Sequence, residues 1–260
     1  MSFDDAFWVH YEHGLERDRL ATWARLEYAR TLELLGRFLP PPPARVLDVG
    51  GGPGRYAVAL IERGYDVALI DPVELHVSQA REAGVPHAVL GDARSLDVGD
   101  ASADAVLLLG PLYHLIEPGD RARALSEARR AVKPGGVVAV AAISRFASAI
   151  DGIGRGLIGD AEFAAMVAAD LDSGVHRNPD PSGRPEWFTT AYFHEPDELR
   201  REVAAAGFTD VDVLAVEGIA AAVPHADPTS AAVLDVIRRL EREPALLGST
   251  AHLLAVGRTG

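Results

Sequence analysis

The sequence predicts an α/β fold built on a parallel sheet. Short apolar segments alternate with amphipathic segments of about ten residues, and glycines follow several of the apolar segments. Ala105–Leu109 is wholly apolar, as expected of a strand buried on both faces. Such alternation produces βαβ units and therefore parallel strands. With 260 residues, the chain is long enough for one α/β domain that carries a small cap.

The first part of the chain, residues 4–39, is predicted to be helical. Its apolar residues return every three or four positions, at Leu15, Leu20, Trp23, Leu26, Leu34 and Leu35. Pro40–Pro43 then stops any helix and provides a stiff connector. We therefore expect an N-terminal helical cap over residues 1–40 and a main domain over residues 41–260.

Seven main strands are predicted in the main domain, at Arg45–Val49, Val67–Ile70, Val89–Leu90, Ala105–Leu109, Val137–Ile143, Val211–Glu217 and His252–Gly257. Helices are predicted at Arg55–Arg63, Glu74–Ala83, Arg121–Ala131, Pro196–Ala206 and Ser230–Arg242. The alternation breaks at about residues 144–190, which are predicted to form an insertion that acts as a lid. It is expected to hold a helix, Asp160–Leu171, a small strand, Thr189–Phe193, and loops around Gly152, Gly154, Gly156, Gly159 and Asn178–Arg184.

Composition excludes several classes of function. Without cysteine, the chain has no disulfide, no thiolate metal site and no cysteine nucleophile. The net charge of −13, with basic residues interleaved with acids, argues against a nucleic-acid partner. No apolar run approaches the ~20 residues that span a bilayer, so no membrane partner is expected. The first ten residues lack the pattern of a secretory signal, and we expect a cytoplasmic protein.

The strongest motif is the glycine loop Val46–Gly54, between the first strand and the first helix. Ligands bind at such a turn, where glycines let the backbone approach them and the next helix offers free N–H groups. Gly52–Ala57 also matches the dinucleotide fingerprint G-x-G-x-x-G/A. Asp71, at the end of the second strand, suits a ribose diol in either interpretation. The loop alone therefore predicts a nucleotide-like ligand without naming it.

Three further features distinguish a dinucleotide from a nucleoside that carries an amino acid. Asp48 lies two residues before the first glycine, where it would repel a pyrophosphate but hold the cationic end of an amino-acid ligand. Gly91–Ala93 follows the third strand, where the Asp92 carboxylate can accept an adenine amine and the Ala93 N–H can reach a ring nitrogen. Lys133–Gly136 predicts a tight turn directly before the fifth strand.

Together these motifs resemble those of the class I S-adenosylmethionine-dependent methyltransferases, from about Arg30 to Gly257. The resemblance implies a Rossmann-like, seven-stranded, mostly parallel sheet with the last strand antiparallel and helices on both faces. It implies S-adenosylmethionine as cofactor and S-adenosylhomocysteine as product. The residues that it assigns to the cofactor are Gly50, Gly52 and Gly54 for the methionine part, Asp71 with Pro72 for the ribose, Asp92 with Ala93 for the adenine, and Gly110 for the amino group.

Two residues of the cap are further candidates for the cofactor. Arg30-Thr31 resembles a pair found in several small-molecule methyltransferases, in which the guanidinium grips the methionine carboxylate. A solvated surface arginine is the alternative. Tyr11 is a candidate to close over the same ligand, and a core tyrosine is its alternative.

The acceptor is expected beside the segment after the fourth strand, Gly110–Leu115. His114 is the candidate general base because an imidazole titrates near the working pH. Tyr113 is a candidate to contact the methyl donor or the acceptor. Each could equally be structural.

The insertion supplies a second group of candidates for the acceptor. Arg145, Phe146, His176, Tyr192 and His194 lie in segments that could fold over the sheet's carboxyl edge and enclose a planar molecule. Nothing resembles the paired acids and asparagine of the metal-dependent enzymes, so no metal is expected.

The sequence therefore predicts methyl transfer to an O, N, S or activated C atom of a small molecule. A methyltransferase of the same class that acts on RNA or protein is a related hypothesis, and the acidic net charge argues against RNA. An NAD(P)-dependent oxidoreductase and a cofactor-binding module without catalysis are the alternatives from other classes.

Overall fold

A computed structural model describes residues 3, 5–12, 16–22, 24–222 and 230–260. Leu15 and Trp23, two of the residues that predicted the cap, lie outside these ranges. No helix within the described ranges is long and apolar enough to cross a membrane. The cap contains the helices α1 (Asp5–Glu12), α2 (Glu16–Arg19) and α3 (Arg25–Phe38). The division into a cap and a main domain stays a prediction.

The described part of the main domain contains nine strands: β1 (Arg45–Val49), β2 (Asp66–Asp71), β3 (His87–Leu90), β4 (Ala103–Leu108), β5 (Val132–Ser144), β6 (Val175–His176), β7 (Ala191–His194), β8 (Thr209–Ala215) and β9 (His252–Arg258). Its helices are α4 (Arg55–Glu62), α5 (Glu74–Glu82), α6 (Pro111–His114), α7 (Pro118–Ala131), α8 (Ala147–Gly154), α9 (Ala161–Ser173), α10 (Pro196–Ala205) and α11 (Ala231–Leu240).

Seven of these strands form the predicted sheet, in the order β3-β2-β1-β4-β5-β9-β8. The first five are parallel, and β9 pairs antiparallel with both β5 and β8, so the expected inverted last strand is confirmed. Two apolar cores, one on each face of the sheet, contain Leu69 and Leu107 on one side and Val106 and Leu108 on the other. Successive residues of a strand point to opposite faces, which explains this division.

Several element boundaries differ from the sequence prediction. β5 begins at Val132, and Lys133–Gly136 forms a bulge inside its pairing with β4 rather than a turn before it. Helix α7 begins at Pro118, because proline is favoured in the first turn of a helix. The predicted loop at Gly152 and Gly154 is wrong, since both lie in helix α8. Gly152 packs directly against the ring of Phe163, where a larger residue would not fit.

The insertion between β5 and β8 adds a short hairpin, β6–β7, to the sheet. Strand β7 pairs parallel with the end of β5, opposite Ile143 and Ser144. The last residue pair between β4 and β5 is Leu108–Val140. Beyond it, β7 pairs with the same edge of β5 that β4 pairs with earlier in the strand. This placement brings the residues just before β7 close to α6, directly after β4.

Candidate cofactor and acceptor cavity

A cavity lies at the carboxyl ends of the parallel strands, beneath the cap. The glycine loop and the residues that follow β2, β3 and β4 form its floor and walls. The cap covers it with Phe3, Phe7, Tyr11, Glu16, Arg19, Leu20 and Glu27.

The glycine loop presents bare backbone to this cavity. Gly50 and Gly52 have φ angles of +68° and +56°, a region that side chains disfavour. A Cβ at Gly50 would lie 2.5 Å from Cγ of Pro111, so the loop can approach α6 only without a side chain. A Cβ at Gly52 would meet no atom within 4 Å, and this position therefore borders open space.

Asp48 is a buried carboxylate without a partner. Asp48 is fully buried, and neither of its side-chain oxygens has a hydrogen bond within the described structure. Burial, and to a smaller extent the nearby Asp71, raise the pKa of Asp48 to about 7. A buried carboxylate in this state is stabilised by any cationic group that enters beside it.

Asp71 is, in contrast, held in place by three donors. Its Oδ2 accepts from the backbone N–H of Gly52 at 2.8 Å. Its Oδ1 accepts from the N–H of Val73 at 2.9 Å and from Nδ1 of His76 at 3.1 Å. These contacts fix the carboxylate at the end of β2 and tie it to the glycine loop.

An aromatic cluster closes the other end of the cavity around His114. Oη of Tyr11 and Nε2 of His114 are hydrogen-bonded at 2.6 Å, which joins α1 to α6. Ring centroids lie 5.0 Å from His114 at Phe7, 4.7 Å at Tyr113 and 5.8 Å at Phe188. Phe188 belongs to the insertion, so three distant segments of the chain meet at this imidazole.

The imidazole of His114 is neutral in this setting. Burial, with a smaller contribution from His10, lowers the pKa of His114 to about 3. The expectation that this residue titrates near the working pH is therefore wrong, because the aromatic cluster removes the solvation that a charged imidazole needs. Burial also raises the pKa of Tyr11 and that of Tyr113, so both phenols keep their protons.

Comparison with known proteins identifies a methyltransferase domain in this chain. Residues 47–140 match a methyltransferase domain model. An uncharacterized methyltransferase of Mycobacterium tuberculosis is 39% identical over 106 residues, which are 40% of this chain and 42% of that protein. The chain thus spans about two fifths of the length of the mycobacterial relatives that it matches. A malonyl-[acyl-carrier protein] O-methyltransferase of Dechloromonas aromatica is 29% identical over 172 residues, 66% of this chain and 54% of that protein.

Residues 47–140 thus form a methyltransferase domain, within a fold similar to that of solved S-adenosylmethionine-dependent methyltransferases. A solved methyltransferase of Thermotoga maritima, titled a possible histamine N-methyltransferase, has the same fold, with a TM-score of 0.62 and 23% identity. The two structures superpose over 97% of this chain and 98% of that one. The alternative of an oxidoreductase finds no support in these comparisons.

Most of the predicted cofactor residues line the cavity. They are Tyr11, Asp48, Gly50, Gly52, Asp71, Pro72, Ala93 and Gly110, together with Tyr113 and His114 from the predicted acceptor site. Gly54 lies just outside, where it caps α4 with a φ of +85° and packs against Ala80. Asp92 also lies outside, since its carboxylate is hydrogen-bonded to the guanidinium of Arg94. Its contact with adenine stays a prediction.

Arg30 does not reach the cavity. It is fully buried and donates to the carbonyl of Val216 at 3.2 Å, to Glu33 at 2.6 Å and to Glu241 at 2.6 Å. The alternative of a solvated surface arginine is therefore wrong, because the side chain ties α3 to the end of the main domain; a contact of Arg30 with the cofactor stays a prediction. The arginines that line the cavity within the described structure are Arg19 of α2 and Arg55 of α4.

The predicted acceptor residues of the insertion do not line this cavity either. Arg145 donates to the carbonyl of Phe193 at 2.8 Å and to Glu198 at 3.1 Å. Tyr192 is hydrogen-bonded to the same Glu198, and Nε2 of His194 donates to Glu202 at 3.3 Å. These polar side chains brace β7 against α10, which explains their burial.

His176 and Phe146 serve packing in a similar way. Nδ1 of His176 donates to Asp170 at 2.9 Å, and its Nε2 donates to the carbonyl of Trp187 at 2.8 Å. Phe146 lies over Gly248, in a surface groove separate from the cavity. These residues do not line the cavity, and both their contact with the acceptor and the lid function of the insertion stay predictions.

Sequence reasoning missed the residues through which the cap and the insertion do reach the site. Phe7, Arg19 and Glu27 line the cavity, and Phe188 packs on His114. Helical spacing marks Phe7 only as an apolar residue, and Arg19 lies among the alternating charges of Glu16–Arg19. Nothing in the sequence distinguishes Arg19 from the other arginines of the cap.

Proposed function

We propose that the protein transfers a methyl group from S-adenosylmethionine to a small molecule held in this cavity. The observation that carries the proposal is the cavity itself. An open glycine backbone and an unpaired Asp48 form one end, and a closed aromatic cluster around a neutral imidazole forms the other. The first end suits a cationic amino-acid nucleotide, and the second suits an apolar or planar acceptor.

The residues at the first end fit the cofactor. Gly52 borders open space, so a ligand can lie directly against the backbone. Asp48 offers a carboxylate to the cationic amino end, and Asp71 lies where the ribose hydroxyls are expected. Arg19 and Arg55 both line the cavity; the guanidinium of Arg55 stacks on the ring of Tyr28, and we assign the methionine carboxylate to Arg19. When bound, the cofactor supplies an electrophilic methyl group.

The second end limits the acceptor to a small molecule. Tyr11 and Phe7 of α1 close over His114, so a macromolecular substrate would have to displace the cap. Stacked and edge-on aromatic rings favour a planar or apolar group in such a space. The net charge of −13 also disfavours RNA or DNA as the substrate.

His114 contributes chiefly by positioning. A neutral imidazole offers one N–H hydrogen-bond donor and one nitrogen that accepts a hydrogen bond. Nε2 can therefore hold a hydroxyl or amine of the methyl acceptor in place of Tyr11. With a pKa of about 3, it is a weak base in the closed state. Attack of an anionic nucleophile on a sulfonium neutralises charge, and a neutral nucleophile passes its proton to solvent after the transfer, so correct placement of the nucleophile carries most of the catalysis here.

Calorimetric titration with S-adenosylhomocysteine, and separately with NAD, tests the cofactor. We expect dissociation constants in the micromolar range for S-adenosylhomocysteine and no heat with NAD; the opposite result would refute the proposal. A panel of phenols, amines and thiols with radiolabelled methyl donor then tests catalysis. Cofactor binding without labelling of any acceptor in an extended panel would favour a binding module instead.

A further inference from the structure

A chain of alternating charges runs from the cavity wall into the main domain. Arg19 donates from Nη1 and Nη2 to the two oxygens of Glu27, at 2.5 and 3.0 Å. Its Nε donates to Glu16 at 2.7 Å. Both Arg19 and Glu27 line the cavity, so the carboxylate of Glu27 helps to fix where the guanidinium stands.

The chain continues behind Glu27 to the beginning of β9. Nδ1 of His252 lies 3.9 Å from Oε2 of Glu27 and donates to Oε1 of Glu217 at 2.6 Å. Oε2 of Glu217 accepts from the hydroxyl of Thr250 at 2.9 Å and from the backbone N–H of His252 at 3.0 Å. Glu217 is thereby fixed, and it holds the imidazole against Glu27.

The imidazole in this chain carries a positive charge at neutral pH. Burial alone would lower the pKa of His252, but the carboxylates of Glu27 and Glu217 outweigh it and raise the pKa to about 9, against an opposing contribution from Arg19. The same partners act on Glu27: burial would raise its pKa, yet Arg19 and His252 hold it below its usual value. The order of charges from the cavity inward is therefore Arg19, Glu27, His252 and Glu217, alternating in sign.

We propose that His252 is a positioning residue for cofactor binding, which acts on Arg19 through the carboxylate that the two cations share. Glu27 is held from one side by the guanidinium and from the other by the imidazolium, so removal of the imidazolium frees it to move. This inference rests on the proposed function, in which Arg19 faces the methionine carboxylate. It gives β9, which begins at His252, an influence on the site through Glu27 and Arg19.

The three groups are also close enough to share a metal ion, since one ligand atom of Glu27, Glu217 and His252 each lies within 4.8 Å of the others. The hydrogen bonds favour a proton instead. Both oxygens of Glu27 already accept from Arg19, and Nδ1 of His252 already donates to Glu217. Elemental analysis of the purified protein separates the two cases, and a stoichiometric divalent metal would overturn the proposal.

The main test compares two ligands in His252→Gln. S-adenosylhomocysteine carries the carboxylate that Arg19 would bind, and 5′-methylthioadenosine carries the same nucleoside without it. We expect the variant to bind S-adenosylhomocysteine about tenfold more weakly at neutral pH, with 5′-methylthioadenosine unchanged within about twofold. His87→Gln, at an exposed position of β3, is the matched control and should bind both ligands as the wild type does.

A pH series distinguishes positioning from a purely structural role. The ratio of the two proteins' affinities for S-adenosylhomocysteine should approach 1 above pH 9, where the wild-type imidazole is also neutral, and titration of the ligand cancels in this ratio. Glu217→Gln, which removes one source of the raised pKa, should lose affinity at a lower pH than the wild type. Equal weakening of both ligands, or a ratio independent of pH, would overturn the proposal. A wild type that binds neither ligand would instead refute the proposed function.

Discussion

Oη of Tyr11 lies 2.6 Å from Nε2 of His114, and this hydrogen bond closes the cap over the cavity. The two residues are 103 positions apart in the chain. Tyr11 belongs to a helix that meets the main domain largely through aromatic side chains, with Phe7 and Tyr11 packed on Val73 and His114. A ligand group that binds Nε2 of His114 would take the place of Tyr11.

Tyr11→Phe should loosen the cap while the ring packing remains. Loss of one hydrogen bond costs about 1 kcal/mol, so amides of Asp5–Glu12 should exchange about fivefold faster, and S-adenosylhomocysteine should dissociate several-fold faster. Hydrogen exchange and stopped-flow measurements check the two effects. Tyr65→Phe is the control, because its hydroxyl donates to the carbonyl of Pro40 at 3.0 Å, away from the cavity. Equal dissociation rates in the two variants would contradict the gating role of Tyr11.

The imidazole of His114 should stay neutral across the physiological pH range. Since burial lowers its pKa to about 3, its nitrogen chemical shifts should not change between pH 5 and pH 8. Heteronuclear NMR of the ¹⁵N-labelled protein measures this directly, and the exposed His87 provides an internal reference that should titrate. A transition of His114 near pH 6.5 would restore the simple general-base hypothesis.

Asp48→Asn should raise the free energy of unfolding and weaken the binding of the cofactor product. The folded protein raises the pKa of Asp48 to about 7, so stability falls as the pH rises from about 4 to 7 and stays lower above that range. The neutral amide avoids this loss, and urea unfolding at pH 8 should show a gain of about 3 kcal/mol that shrinks toward pH 4.

The same variant should bind S-adenosylhomocysteine at least about tenfold more weakly, because the carboxylate for its cationic end is gone. Calorimetry checks this part. A variant that is less stable than the wild type at pH 8 would show that the carboxylate has a stabilising partner.

Substitutions of Arg19 and Arg30, two of the arginines of the cap, should separate an effect on binding from an effect on folding. Arg30→Met should cost about 3 kcal/mol in the free energy of unfolding, because Arg30 is buried on Glu241, and should leave the affinity for S-adenosylhomocysteine within about twofold. Arg19→Met should weaken that affinity at least about tenfold. Urea unfolding and calorimetry on both variants test the assignment. If Arg30→Met proved to be the one that loses affinity, the original sequence-based expectation would stand.

The sequence predicted what depends on local backbone chemistry. Glycines at positive φ and polar residues at strand ends mark the cofactor end of the cavity, because parallel strands bring their carboxyl ends to one edge. Gly50, Gly52 and Asp71 could therefore be placed from the chain alone. The antiparallel last strand followed from the family resemblance, and the structure confirms it.

The sequence did not predict which way the side chains of the cap and insertion point. Arg19 and Arg30 are eleven positions apart on neighbouring helices, and only tertiary packing turns one to the cavity and buries the other on Glu241. His176 and Phe188 are similar, since one is hydrogen-bonded within the insertion and the other packs on His114. The pKa of His114 likewise depends on neighbours from three segments.

The position of β9 has a consequence for how the chain is made. This strand lies between β5 and β8, and both neighbours leave the ribosome before it. Until β9 arrives, β5 and β8 each carry an unpaired edge of apolar sequence, the state in which chains associate wrongly. Synthesis must therefore pass through an incomplete sheet whose gap only β9 can fill. Substitutions in this strand should lower the yield of folded protein in cells more than equally buried substitutions in β1.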